Sequence, residues 1–376
     1  MIDVSLSHEK TNFLGFTERD WIQLLDERGY KKFHAGQIMK WIHHRFISDF
    51  SEMSDIGMNL RDHLSIIGNL KEPLVKEEFV STDGTRKWLI ESFSGKLFEL
   101  VYIPEKSRGT LCVSSQVGCA LKCDFCSTGK LGFSNNLTAA EIVGQIRVAM
   151  RRLAEIFPNN KRRGVSNIVF MGMGEPLLNL PNVLPALEVI RSDLGYGISK
   201  RRVTVSTSGI VPAIGVLADK ADVSLAISLH APNDRLRDRL MPLNRKYPIS
   251  LLLDACRAYS EKFPQKKEIF VEYTLLEGVN DGYEHAKELA SILKDLRCKI
   301  NLIPFNPFAG STFKQPSLRR VREFQSALVA NGYSVTVRAT RGNDIAAACG
   351  QLAGRLVDQT NRNPKYREID LKNIQV

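Results

Sequence analysis

The chain has 376 residues, 43% of them hydrophobic, and carries a formal net charge of +11 with a pI near 9.3. That supplies one large core plus a smaller one, and the charge points to a polyanionic partner. No run of about 18 apolar residues occurs, so no transmembrane helix is expected. Met1–Glu18 lacks an apolar signal core, which predicts a cytoplasmic protein whose seven cysteines are thiols or metal ligands rather than a disulfide framework.

Residues 1–70 read as a small helical domain. Thr17-Glu18-Arg19-Asp20 has the spacing of a capping box and leads into an apolar-periodic run through Trp21, Leu24 and Leu25. A second helix is predicted over His34–Phe46 and a third within Met53–Ile67. The charge of His34, Lys40, His43, His44 and Arg45 suits an RNA-docking surface, or is plain surface polarity. Residues 71–104 read as a short antiparallel extension with a turn at Asp83-Gly84. Leu97–Ile103 alternates, placing Leu97, Glu99 and Val101 on one face. A carboxylate against a dry pocket has a raised pKa and can act as a base near neutrality. By position alone, an exposed strand glutamate is the plainer reading.

From residue 105 to about 344 the chain alternates strands and helices, the pattern of an α/β fold with a parallel sheet. Strands are predicted at Leu111–Ser115, Asn167–Met173, Arg202–Thr207, Val223–Leu229, Ile269–Leu275, Lys299–Pro304 and Ser334–Arg338. Helices between them are predicted to start near Thr138, Asn182, Val211, Ser250, Tyr283 and Leu318, the first with a capping box through Glu141. This count suits a partial (β/α) barrel better than a closed eight-fold one. Basic clusters fall at Arg151-Arg152, Lys161-Arg162-Arg163, Lys200-Arg201-Arg202 and Arg319-Arg320-x-Arg322. Each alone is an ordinary solvated face; together they favour a nucleic acid.

The densest chemistry is Cys119-Ala-Leu-Lys-Cys123-Asp-Phe-Cys126. Ferredoxin-type clusters take four cysteines, so three thiols in C-x3-C-x2-C spacing can hold three irons of a 4Fe–4S cluster and leave the fourth open to a small chelating molecule. The motif resembles that of radical S-adenosylmethionine (SAM) enzymes, including the aromatic Phe125 before the last cysteine. Structural zinc, which usually takes four ligands, and scattered core thiols are the bland alternatives. Unusual residues gather where the predicted strands end, at Gly172-Met-Gly174-Glu175-Pro176, Ser206-Thr-Ser208-Gly209, Ser228-Leu229-His230 and Asn306-Pro307. In barrel enzymes those ends carry the chemistry. Glu175 can accept from an ammonium and Ser206 can donate to a carboxylate, the groups of an amino-acid moiety. Residues 345–376 hold Cys349, predicted at a helix start or in the loop before it, where a helix N-terminus would favour thiolate. A polar, basic tail over 357–376 follows.

Seven segments carry a closer resemblance: QIMKWIHHR (37–45), LCVSSQVGCALKCDFCSTG (111–129), MGMGEPLL (171–178), SKRRVTVSTSG (199–209), AISLHAPND (226–234), NLIPFNP (301–307) and DIAAACGQL (344–352). In them the chain resembles the RlmN family of radical-SAM RNA adenine methyltransferases, whose neighbour is the Cfr family. The resemblance implies a partial (β/α)6 barrel, one 4Fe–4S cluster on Cys119, Cys123 and Cys126, and two SAM molecules per turnover. It further implies SAM contacts at Gly174, Glu175, Ser206, Ser228, Leu229, His230 and Asn306. Cys349 would take a methyl from one SAM; a radical generated from the second would abstract hydrogen from that methyl, and the resulting radical would add to adenine C2. Glu99 would remove the C2 proton and Cys112 would release the product by forming a disulfide with Cys349. Implied partners are 23S rRNA at the peptidyl transferase centre, some tRNAs 3′ of the anticodon, and a reductant such as flavodoxin, with no membrane and a monomeric protein. Two rivals stay open here: a Cfr-like enzyme acting at adenine C8, and a non-catalytic Fe–S protein that binds RNA.

Overall fold

The computed structural model describes residues 10–352 apart from 107, 159–163, 264 and 266. The Lys161-Arg162-Arg163 cluster and the basic tail lie outside the described residues. In chain order, β1 (Thr11–Asn12) precedes α1 (Glu18–Glu27), α2 (His34–His43) and α3 (Met58–Ile67), and β2 (Gly68–Asn69) returns to pair parallel with β1. The Thr17 capping box forms with Asp20. Helix α2 stops three residues short of the expected Phe46, which adopts a left-handed φ of 55°. A single 3-10 turn at Phe50–Glu52 stands apart from α3. These helices bury Phe13, Trp21, Ile38, Ile42 and Leu64 in a core of their own. His43, expected among the charged docking residues, is buried.

One ten-stranded sheet holds the rest. Strands β3 (Leu74–Val80), β4 (Arg86–Glu91), β5 (Leu97–Pro104) and β6 (Gly109–Cys112) pair antiparallel in sequence. Then β9 (Asn167–Phe170), β10 (Val203–Thr207), β11 (Ser224–Ser228), β12 (Ile269–Leu275), β13 (Cys298–Pro304) and β14 (Ser334–Val337) continue parallel from β6, each beside the one before. Between β6 and β9 the chain makes a hairpin of β7 (Gln116–Gly118) and β8 (Phe133–Asn136) around α4 (Ser127–Leu131), followed by α5 (Ala139–Ile156). Helices α6 (Leu180–Arg191), α7 (Val211–Lys220), α8 (Asp234–Leu240), α9 (Ile249–Glu261), α10 (Tyr283–Ile292) and α11 (Leu318–Ala330) link the later strands. This is the expected partial barrel; its central strands β11 and β12 are buried on both faces, as parallel strands under helices are, while the edge strand β14 is mostly exposed. The three-stranded extension is continuous with it through β5 and β6.

Two sequence rules account for most boundaries. Thr138 caps α5 through a capping box with Glu141, whose carboxylate also accepts the Phe93 N–H at 2.7 Å. Pro181 and Pro212 sit in the first turns of α6 and α7, where a missing N–H costs nothing. From α5, fully buried Arg147 donates to the carbonyls of Ile42 and Ile47 and pairs with Glu72, bolting the helical domain to the barrel. No helix among the described residues is long and apolar enough to cross a membrane.

Candidate active site

The site is built at the C-terminal ends of the parallel strands. The β7–α4 loop carries Cys119, Cys123 and Cys126. Its shape is fixed by the Cys119 N–H to Gly132 O (2.9 Å), the Cys126 N–H to Cys123 O (3.1 Å), and Lys122 in left-handed conformation at φ 50°. Burial raises all three thiols; the charges of Cys123 and Cys126 push Cys119 further, and that of Cys126 helps push Cys123 up to about 12. Three bare thiolates could not share this loop, whereas iron charge would compensate them. Among the described residues no three ligand side chains converge on a single metal ion. A four-iron cluster does not require that, because each cysteine binds a different iron. The donor set therefore fits a cluster with one iron left open.

Beside that loop lies a cavity of about 150 Å³ that Cys126, Gly174, Glu175, Ser206, Ser228, His230 and Asn306 all line. Leu229, grouped with them by resemblance, is fully buried and does not line it. Gly174 has a φ of +95°, and a Cβ there would fall 2.4 Å from Gln116 Cβ. Buried Glu175 is aimed by the N–H groups of Ser208 (2.8 Å) and Leu177 (3.1 Å). Burial raises its carboxyl above the ordinary range, and those bonds oppose the rise. Each carboxylate oxygen still has acceptor capacity for an ammonium. His230 stands at a left-handed φ of 56° and accepts the Thr274 N–H on Nδ1 at 2.9 Å, so its neutral form carries the proton on Nε2. Burial lowers it to about 3, which keeps it neutral.

Cys349 does not itself begin a helix, and a helix after it would lie outside the described residues. Cys349 lies in an irregular turn after the 3-10 turn Asn343–Ile345. Its electrostatic neighbour is Arg338, just past β14, with Nη1 3.4 Å from Sγ. The turn is tied to the cluster loop by Ser127 N–H to Gly350 O (2.8 Å) and Thr128 Oγ1 to Leu352 O (3.1 Å), and to Asn306 by Nδ2 to Cys349 O (3.2 Å). Cys349 lines the first cavity and also a second one of about 200 Å³ that includes Cys112, Val101, Thr110 and Arg338. Buried Cys112 is pushed up to about 12, first by burial and then by the charge of Cys349, against the pull of Arg338.

Glu99 is not the exposed strand residue that position alone suggested. It is buried and forms an ion pair with buried Lys87 at 2.9 Å. In the sheet register Val101 lies opposite Cys112, and Glu99 is two residues along the same face of β5.

Glu272 and Arg338 also line the site, though nothing in the sequence motifs singled them out; Ser208, in the Ser206-Thr-Ser208-Gly209 segment, lines it too. Glu272 is held by Asn301 Nδ2 at 2.7 Å, while its buried Oε2 lies 3.8 Å from Arg338 Nη1 and makes no hydrogen bond. A lone glutamate inside the apolar strand IFVEYTL was the signal for it. Arg338 gave less warning, since an arginine after a strand usually faces water.

Comparison with known proteins agrees with this geometry. Residues 113–290 match the radical SAM superfamily, and residues 11–68 match the ribosomal RNA large subunit methyltransferase N-terminal domain. A dual-specificity RNA methyltransferase RlmN of Pseudomonas fluorescens is 52% identical over 363 residues, covering 96% of this chain and 95% of that protein. One from Pseudomonas putida is 53% identical over the same shares. The chain belongs to the RlmN family. A radical SAM methyltransferase from Sphaerobacter thermophilus matches the fold with a TM-score of 0.84 at 40% identity, covering 92% of this chain and 99% of that one. As an RlmN-family member the protein is a radical-SAM RNA methyltransferase that uses a 4Fe–4S cluster and SAM.

Proposed function

We propose that this enzyme methylates C2 of adenosine in 23S rRNA and in tRNA, with Cys349 carrying the methyl group, Cys112 resolving the intermediate and Glu99 accepting the C2 proton. The observation that carries the reading is that Cys349 lines both cavities, one beside the cluster loop and one beside Cys112. The Pseudomonas relatives are named dual-specificity RNA methyltransferases, which fits action on more than one RNA, and the N-terminal family is named for the large ribosomal subunit RNA.

Adenine C2 is electron-poor and does not attack an electrophilic methyl, so a plain polar transfer fails there. A protein sulfur solves the first half. The Cys349 thiolate would attack the methyl carbon of SAM, forming S–CH3 as the methyl–sulfonium bond breaks and S-adenosylhomocysteine leaves, and Arg338 places positive charge beside the Cys349 sulfur. Cys119, Cys123 and Cys126 would hold the cluster, and Gly174, Glu175, Ser206, Ser228, His230 and Asn306 would surround SAM. When bound, the two supply a radical able to abstract hydrogen from the S-methyl group. The chain's own work is then to exclude water, take the C2 proton on Glu99 and bring the Cys112 thiolate onto Cys349 sulfur. A cellular thiol reductant would reopen the disulfide.

The exposed basic residues Arg151, Arg152, Lys200, Arg201, Arg202, Arg319, Arg320 and Arg322 would supply salt-dependent affinity. The target base must leave its stack to reach the cavity, which favours unpaired RNA. A flavodoxin-class electron donor, a monomeric state and a cytoplasmic location complete the reading. The test is nucleoside mass spectrometry after anaerobic reaction with SAM, a reductant and unmodified 23S rRNA or tRNA. Formation of 2-methyladenosine supports the reading and assigns the RNA class. Formation of 8-methyladenosine moves the enzyme to the Cfr chemistry, and SAM cleavage without either product refutes the substrate.

A further inference from the structure

Lys87 is among the largest fully buried side chains of the molecule, 1% exposed, and no step described so far uses it. A buried lysine needs partners. It sits on β4 opposite Val101, which in turn sits opposite Cys112 on β6. Cross-strand partners share a sheet face, so Lys87, Val101 and Cys112 form one row and Glu99 lies in the adjoining row of that face. The Lys87 ammonium lies 2.9 Å from Glu99 Oε1 and donates to the carbonyl oxygen of Ala346 at 3.2 Å. Ala346 is three residues from Cys349 and stands in a left-handed conformation, φ 52°, that alanine seldom adopts. The same hairpin grips that loop elsewhere. Ser81 Oγ donates to Asp344 Oδ1 at 2.6 Å, the Thr82 N–H to Asp344 Oδ2 at 3.2 Å, and the Gly342 N–H to Asp83 Oδ2 at 3.0 Å.

We propose that Lys87 is a positioning residue of the methyl transfer, one ammonium that aims the Glu99 carboxylate and fixes the backbone of the loop carrying Cys349, so that base and methyl carrier keep a set separation. The β3–β4 hairpin is then part of the active site's frame. The inference rests on the reading of Glu99 as the proton acceptor given above. Lys87 does not touch the reacting atoms; it acts through Glu99 and through Ala346.

The experiment compares K87M, K87R and E99Q with wild type in single-turnover reactions on unmodified RNA. Covalent protein–RNA adduct and released 2-methyladenosine are measured in each, with SAM cleavage in the absence of RNA as the check on cluster and fold. A misplacement near 1 Å can cost about a hundredfold, so K87M is expected to raise the ratio of adduct to product about a hundredfold, as E99Q does, with SAM cleavage within about twofold of wild type. K87R, which keeps the cation and can reach both acceptors, is expected to recover most of the ratio. A merely structural role would lower adduct and product together. That result, or a wild-type ratio in K87M, overturns the proposal. If K87M is insoluble, K87Q is read against the same criteria. Wild-type enzyme that forms no 2-methyladenosine refutes the underlying reading instead, and E99Q that traps adduct while K87M does not refutes only the role of Lys87.

Discussion

At the scale of single residues the site depends on where charge is placed beside sulfur. Arg338 lies 3.4 Å from Cys349 Sγ and 3.8 Å from Glu272, at the junction of the two cavities. A charge-assisted hydrogen bond is worth about 1.5–3 kcal/mol, so Arg338→Met should slow methylation of Cys349 by isotopically labelled SAM, measured on the Cys349 peptide without RNA, by about 10- to 100-fold. Arg338→Lys should recover part of the rate; an unchanged rate in the methionine variant would remove Arg338 from the chemistry. Cys112→Ala should trap the covalent RNA adduct, and a freely dissociating product would refute the resolving role. Because burial pushes the Cys112 thiol up to about 12, more of it ionises as pH rises. Adduct release should therefore accelerate by about tenfold per pH unit through the neutral and mildly alkaline range, and a flat profile would show that sulfur attack does not limit release. The cysteines were legible in the sequence because their spacing is itself the chemistry. Arg338 was not, since neither residue type nor spacing sets it apart from an ordinary residue after a strand; Glu272 left one trace, a lone carboxylate in an apolar strand, whose partner emerges only when β12, β13 and β14 are laid side by side. Glu99 was half legible: alternation gave its face, but only the cross-strand register revealed Lys87.

Secondary-structure elements followed local rules closely wherever those rules were strong. The capping boxes at Thr17 and Thr138 mark the starts of α1 and α5, and all seven predicted strands of the parallel layer are present, the first displaced to Gly109–Cys112 and ending before the expected Ser115. The short elements were missed: α4, the β7–β8 hairpin and α8, the last a seven-residue helix of sequence DRLRDRL with too little apolar periodicity to declare itself. Helix α8 carries the fully buried Arg237, whose guanidinium donates to the carbonyls of Leu229 (3.1 Å), Ser208 (2.7 Å) and Ser228 (3.1 Å) and to Asn244 Oδ1 (2.8 Å). One side chain thus ties together the ends of β10 and β11, which present Ser206, Ser208, Ser228 and His230. Arg237→Lys cannot reproduce that fork. It should weaken SAM binding by about tenfold or more, on the scale of one to two lost charge-assisted bonds, as read by calorimetric titration of the cluster-loaded enzyme. Wild-type affinity would show that the strand ends hold their geometry without it.

Across the described residues of the molecule, burial keeps two histidines neutral near neutral pH. His43 at the domain junction, 3.4 Å from the Tyr196 hydroxyl, and His230 in the barrel are both lowered to about 3. Between that value and the usual 6.5, the unfolded chain binds more protons than the folded one, so stability falls as pH falls. Each histidine should contribute a slope of up to about 1.4 kcal/mol per pH unit in that window. Denaturant midpoints measured from pH 7 to pH 4 should show it, and His43→Phe should flatten the curve; an unchanged slope would mean His43 is solvated before the protein unfolds.

The strictly sequential strand order also bears on how the enzyme is made. From β3 to β14 every strand of the large sheet joins the edge left by the one before it, so a chain emerging from the ribosome can extend the sheet without reopening it. The cluster loop is complete by Cys126, while the contacts that seal the Cys349 turn bridge 224 residues from Thr128 to Leu352 and 263 from Ser81 to Asp344. The proposed cluster thiols thus come together on a nascent protein well before Cys349 is delivered to its place as the final stitch.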